Sequence, residues 1–422
     1  MELTVERNFK KVNTRIRIKS IDRVIFFFMF LSTLFIGADV IGINVGVNFR
    51  LDQIFLVITA LLMILRNNFK IRDNKWIAFF LIFTLLSTIL AINIQRAALF
   101  YFSIVYNVIF LFYLYSNFVS YYGPKLFIKL FRNTMYIQFL LMCAQFALKV
   151  FFNYEIPFMP SYGSYMGIER FSLWFYEPSY LSTFIAIWLV SSLYFMIICN
   201  SKGYIKDVIM ALLMILMSTS TSGFILIALS IAVIYLMWIA NNITVKKLLA
   251  LVGIIILGLV LMLIFSDIFD VFIKRLFVNS LDESSGGRVT QWAETFEVFK
   301  DNSLFGIGGG NYGAYLGFDN SYVPSNVTLE LMAVHGIFSA IAFYGLTISL
   351  IVRAIKLCKK SNGRCKTVVA YTVALVIFTI IFQFNQGYLR LYHWMLFGIL
   401  DGMIIYYNRK LKYTNKMKGI CY

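Results

Sequence analysis

Long apolar stretches separated by short polar ones dominate the chain from end to end. Apolar runs of about 18 or more residues cross a bilayer as helices. Twelve such spans are predicted, at roughly 24–43, 51–65, 76–94, 97–117, 135–153, 180–199, 207–220, 222–240, 248–267, 326–352, 367–386 and 391–408. In hydrocarbon the backbone must satisfy its own polar groups, so these runs become helices rather than open sheets. The seventh and eighth spans meet at Ser218-Thr219-Ser220-Thr221-Ser222-Gly223, which reads as either a tight outer turn or a polar kink.

Two segments between spans are too long to be simple connections: 154–179, and 268–325 with about 58 residues. Within the second, Val289, Trp292, Phe296 and Phe299 recur at helical spacing. They predict an amphipathic helix over about 288–301, lying at the outer membrane surface. No internal repeat or heptad pattern is present.

Composition agrees. Hydrophobic residues make up 60% of the chain and charged residues 14%, where soluble domains carry about 25% charged. Mean hydropathy is +0.79. The net charge of +18 does not point to nucleic acid, because the basic residues sit in short loops and form no basic domain. Of 38 Lys and Arg, 29 fall in the head, the tail and the loops that put both ends in the cytoplasm; such a bias sets orientation. The basic head runs straight into a full-length span, as an uncleaved anchor does. The five cysteines lack CxxC spacing and avoid both large outer loops, so neither a structural disulfide nor a zinc site is expected.

The nine basic residues left outside are the informative ones. Arg170, Arg288 and Arg390 lie near outer helix ends or in the large loop. An arginine fork binds phosphate oxygens bidentately; the alternative is snorkelling to lipid phosphate, or pairing with Glu169 or Asp282. Arg288 is notable because it opens the amphipathic helix, where a cation opposes the helix dipole and an anion would meet free N–H groups. Glu177 precedes Pro178 at a helix start. It reads either as a dipole partner or as a general base or sugar-hydroxyl ligand. The run from Gly306 to Gly313 has no strand before it and no GK[ST], so it is no nucleotide loop. It serves as a plain turn or as one that lets a ligand approach Gly308, Gly309 and Asn311. Glu330 and His335 are ionisable residues in the tenth span and are candidates for function or for helix–helix bonding. His393 fits an interfacial belt beside Arg390 and Trp394. No cluster has metal-ligand spacing.

Three segments resemble the bacterial O-antigen polymerase and ligase superfamily. Arg170 through Ser179 is similar to its Arg-x-x-Gly…Glu-Pro-Asn element. Ser285-Gly286-Gly287-Arg288, Trp292, Phe299 and Asn302 through Gly308 follow its large-loop pattern of Gly-Arg, Trp and Gly-Ile-Gly. Ser325 through Ile337 resembles its His-Asn…Leu…Gly-Ile approach to the next span. The departures are Ser325 where ligases carry a catalytic His, Leu173 where the first element has Gly, and Thr221-Ser222-Gly223 where ligases have Ser-Arg-Gly. They favour polymerase over ligase.

The resemblance implies an all-α, GT-C-like polytopic protein of the bacterial inner membrane, with its active site facing the periplasm. It implies metal-independent, cofactor-free glycosyl transfer from an undecaprenyl-diphosphate-linked glycan to a new lipid-linked repeat unit. Membrane lipid and a chain-length regulator protein would be partners. Glu177 and Arg288 would be catalytic. Arg170, Arg390, Gly308, Gly309, Asn311, Asn326 and Glu330 would bind substrate. The rival is a lipid-linked oligosaccharide flippase or transporter, which would show broken helices and internal repeats.

Overall fold

A computed structural model describes residues 20–44, 48–165, 168–241, 288–318, 324–361, 365–384 and 387–419, with residues 244 and 363. The described chain is mostly helical. In order run α1 (Ser20–Leu34), the hairpin β1 (Gly42–Asn44) and β2 (Asn48–Arg50), α2 (Leu51–Leu65), α3 (Lys75–Ile89), α4 (Ile94–Tyr106), a π-helical stretch (Asn107–Tyr113), α5 (Leu114–Tyr122) and α6 (Pro124–Phe152). The hairpin β3 (Ser161–Tyr165) and β4 (Ile168–Phe171) follows, then α7 (Pro178–Leu193), α8 (Ile205–Ser218), α9 (Thr221–Asn241), α10 (Arg288–Asp301), α11 (Tyr312–Tyr315), α12 (Val327–Lys360), α13 (Lys366–Ile381) and α14 (Leu391–Gly419). Five helices among the described residues are long and apolar enough to cross a membrane: Ile94–Tyr122, Pro124–Phe152, Pro178–Ile198, Thr221–Ala240 and Val327–Lys360.

The helix starts follow local chemistry. Asn74 and Asn93 accept backbone N–H bonds as N-caps of α3 and α4, and Pro124 and Pro178 open α6 and α7, where the missing N–H has no helical partner to lose. The first span is shorter than the pattern predicts. α1 stops at Leu34, and the chain turns at Gly37 (φ 74°) before Asp39, so 35–43 is loop and hairpin rather than helix. Conversely, the basic segment 125–132 is helical and extends the fifth span toward its basic end. The junction 218–223 is a tight turn: Thr219 takes φ 43° between α8 and α9. The predicted span 248–267 lies outside the described residues.

In lipid no hydrophobic effect drives helices together; close packing and hydrogen bonds do. α7 is the central helix, with every residue from Tyr180 to Tyr194 buried. α14 reaches the π stretch and α5 through Gly398 and Gly402, whose hypothetical Cβ atoms would fall 2.4 Å from the Phe112 carbonyl oxygen and 2.6 Å from that of Ser116. At the basic end, buried carboxylates tie helix termini together. Asp22 holds Arg66 and Tyr122, Asp207 holds Arg132 and Tyr136, and Asp401 holds Arg353.

Candidate functional site

At the opposite end, a cavity of about 420 Å³ opens among α2, the π stretch, α7, α12 and the loop before α14. Each element delivers one polar group. The turn after α1 carries Asp39, β2 ends on Arg50, the π stretch starts on Asn107, the first turn of α7 carries Tyr180 and that of α12 carries Glu330, while Arg390 immediately precedes α14. A π bulge shifts the helical register locally and recurs at functional sites; here it turns Asn107 toward the cavity.

Asp39 joins the two arginines. Arg50 Nη1 donates to its Oδ1 at 2.7 Å, Arg390 Nη1 lies 3.8 Å from its Oδ2, and the Tyr176 N–H donates to Oδ2 at 3.3 Å. Arg50 Nε also stands 3.4 Å from buried Asp52. Burial works against the Arg50 charge, but Asp52 and Asp39 more than offset it and raise its pKa. For Arg390, burial is likewise outweighed by Tyr180 and Asp39. Both guanidiniums therefore stay cationic in a half-enclosed cavity, where a second, anionic partner would be held strongly. Glu330 is nearly buried and its Oε2 accepts the Gly387 N–H at 3.1 Å. Cations and a carboxyl group thus face one space.

The sequence candidates fall into three groups. Arg390 and Glu330 line the cavity. Glu177 lies beside it: it makes no helix-end cap bond, accepts from Ser179 Oγ at 2.9 Å and helps hold Arg390 charged. Arg170 sits on β4 opposite Tyr162, next to Glu169, which Lys149 approaches to 3.6 Å; neither is in the cavity wall.

The third group forms a seam. α12 breaks at Gly336 (φ 78°, ψ 171°), which takes Ala333 and Val334 out of the regular helical ladder. Their carbonyls accept instead from Ile307 N at 3.1 Å and Gly308 N at 2.9 Å, and Ile337 N donates to Ser303 O at 3.0 Å. Gly308 packs on Ala91, and Gly309 on Phe100 and His335. Asn311 is fully buried and donates to Ile307 O at 3.1 Å. Asn326 caps α12, accepting from Leu329 N at 3.0 Å, and also donates to Gln383 O at 3.1 Å. Of these four, Gly308 ties the large loop to α12 directly, while Asn311 braces the loop internally and Asn326 fastens the start of α12 to Gln383; all four stand outside the cavity wall.

α10 spans the predicted residues, but its buried face differs. Thr295 and Val298 turn inward, with Val298 in a cluster of Ile307, Tyr312, Ala333 and Val334, whereas Phe296 is 43% exposed. Trp292 Nε1 donates to Ser325 Oγ at 3.2 Å, and Ser325 N donates to Gln291 Oε1 at 3.1 Å. The helix is thus fastened to the start of α12. Arg288 opens it; the Arg288 side chain lies outside the described residues.

Sequence reasoning missed Arg50 and Asp39. Arg50 was visible as one of the nine basic residues that the charge pattern assigns to the outer side, placed, like Arg390, directly before a predicted span. Asp39 was hidden inside the overlong first span, although an acid there is itself a functional signal.

The family model for O-antigen ligase matches residues 208–344, a stretch that holds Arg288, the glycine seam and Glu330. The match supports membership of the O-antigen polymerase and ligase superfamily, and with it an O-antigen polymerase- or ligase-type function. No curated protein matches the chain.

Proposed function

We propose that the chain is an O-antigen-type polymerase of the bacterial inner membrane that works at its outer face. It transfers a growing glycan from undecaprenyl diphosphate to a sugar hydroxyl of a new lipid-linked repeat unit. The observation that carries this reading is the cavity where Arg50, Arg390 and Glu330 converge, in a chain that matches the O-antigen ligase family.

The acceptor oxygen attacks the anomeric carbon while the bond from that carbon to phosphate oxygen breaks. Undecaprenyl diphosphate leaves, and the hydroxyl proton passes to a carboxylate. Arg50 and Arg390 neutralise the departing diphosphate, which is stabilisation aimed at charge developing in the transition state. Glu330, in the cavity wall, is better placed to take the proton than Glu177 beside it. Arg288 and Arg170 approach the lipid-linked donor from the large loop and from the β3–β4 hairpin. Ser325 supports polymerase over ligase: where ligases carry a histidine, its hydroxyl accepts the Trp292 N–H and fastens α10.

Deletion of the gene tests the reading. A polymerase leaves single repeat units on the cell-surface lipid acceptor in place of long chains. Loss of the single-unit band together with the ladder points to a ligase or a flippase.

A further inference from the structure

We propose that His335 is a positioning residue for this site: through Tyr388 it fixes the 387–390 loop, which holds Glu330 by a backbone N–H and presents Arg390 to the cavity. This inference rests on reading the cavity as the glycosyl-transfer site.

His335 is fully buried on α12, one residue before the break at Gly336. Its Nε2 and the Tyr388 Oη share a hydrogen bond of 2.5 Å, with the two rings edge to face. Its Nδ1 has no hydrogen-bond partner among the described residues, so the ring's polar attachment is Tyr388. Burial and the nearby Glu330 hold the Tyr388 pKa well above its ordinary value, and the phenol stays neutral.

The loop closes on one turn bond of its own, from Arg390 N to Gly387 O at 3.0 Å. Gly387 takes φ 99°, and a Cβ there would fall 2.7 Å from the Arg390 stem. Its other ties come from outside. Trp394 Nε1 donates to Tyr388 O at 2.9 Å, and Asn107 Nδ2 donates to Leu389 O at 2.9 Å. The tie to Tyr388 Oη comes from α12, the helix that also carries Glu330. Glu330 and His335 are thus both fastened to the same short loop, one through the Gly387 N–H and one through the Tyr388 hydroxyl. Releasing the second tie loosens the first and lets Arg390 swing from the donor diphosphate.

The test uses full-length protein in membranes, with Leu389→Cys as a reporter on the cavity side of the loop. Labelling by a membrane-impermeant maleimide is followed at that peptide by mass spectrometry, which separates it from the native cysteines. Loss of one buried hydrogen bond shifts a local opening equilibrium by about five- to a hundredfold. Labelling should therefore quicken by that order in His335→Ala and in Tyr388→Phe. It should quicken no further in the double variant, and should stay near the parent in His335→Gln, whose amide still reaches the hydroxyl. Polymerisation turnover should fall in parallel, more than acceptor KM rises. Tyr388→Phe removes one oxygen and keeps the ring, so it carries the test alone if His335→Ala fails to accumulate. Parent-like labelling in Tyr388→Phe overturns the positioning role and leaves the cavity reading standing. Arg390→Ala polymerising at the wild-type rate overturns the cavity reading itself.

Discussion

Arg390 lays its guanidinium over the ring of Tyr180, 3.4 Å from the ring centroid, while its Nη1 stands 3.8 Å from Asp39. A planar cation stacked on an aromatic face and steered by a carboxylate has its orientation fixed before any ligand arrives. Loss of a preorganised contact to a leaving group costs about 2–4 kcal/mol of transition-state stabilisation. Arg390→Ala should therefore lower polymerisation by about thirty- to a thousandfold in membranes supplied with lipid-linked repeat units. Arg390→Lys keeps the charge but loses the planar stack and fork, so it should recover only part of the rate.

The two acids near the cavity separate by amide substitution, which keeps shape and removes the charge. Glu330→Gln should lose most turnover, because its carboxyl group lines the cavity. Glu177→Gln should retain most of it, since Glu177 contributes to the field at Arg390 from beside the cavity. Rates measured at saturating acceptor decide between them, and the reverse order would make Glu177 the base.

The helices were legible because apolar runs of membrane length admit few alternatives, and α2 and α7 through α9 fall close to their expected limits. Hydropathy failed where polarity changes without a change in apolar count: Phe35 through Ile43 reads as membrane span, yet Gly37 and Asp39 turn it into a cavity wall. Half of the site was legible for a related reason. Arg390 and Glu330 stand out as charges at span ends, but nothing in a linear reading brings Asp39 to Arg50, or the 387–390 loop to Glu330. The glycine run was recognised as special and left open between two roles. Only the break at Gly336, about thirty residues further along the chain, explains why its amides are needed elsewhere.

The 29 basic residues assigned to one side predict cytoplasmic ends and an outward-facing cavity. Thr290→Cys should be labelled by an impermeant thiol reagent from outside intact cells, and Asn362→Cys only after the membrane is permeabilised. The opposite pattern would put the cavity in the cytoplasm and end the proposed reaction.

Arg288 opens α10, where a cation is unfavourable for the helix itself and a bound anion would offset it. Arg288→Ala should lower polymerisation by about a hundredfold at normal membrane levels. Arg288→Lys should also be impaired if the contact is bidentate. A wild-type rate in Arg288→Ala removes it from the site and leaves Arg50 and Arg390 as the diphosphate ligands.

The seam between the large loop and α12 makes a prediction about stability rather than chemistry. Gly336 adopts φ 78° and ψ 171°, a region open essentially to glycine alone, where another residue costs about 1–3 kcal/mol. A Cβ at this position would also fall 2.0 Å from the Leu304 carbonyl oxygen, a backbone atom that cannot swing aside. Gly336→Ala must therefore push the loop off the helix. It then exposes the Ala333 and Val334 carbonyls that the break withdraws from the helical ladder, and each lost bond costs about 1 kcal/mol. Gly306, at φ 69° and with the Val334 backbone 2.4 Å from a hypothetical Cβ, should behave alike. Gly203 has nothing within 4 Å of its Cβ position and an ordinary φ, so Gly203→Ala is the control and should be neutral. Melting of the detergent-purified variants, with protease susceptibility of residues 303–311 as the local readout, checks the order: both seam variants lowered and newly cleaved, the control unchanged. Seam variants that melt with wild type would mean that the loop is held by α10 and its Trp292–Ser325 bond alone.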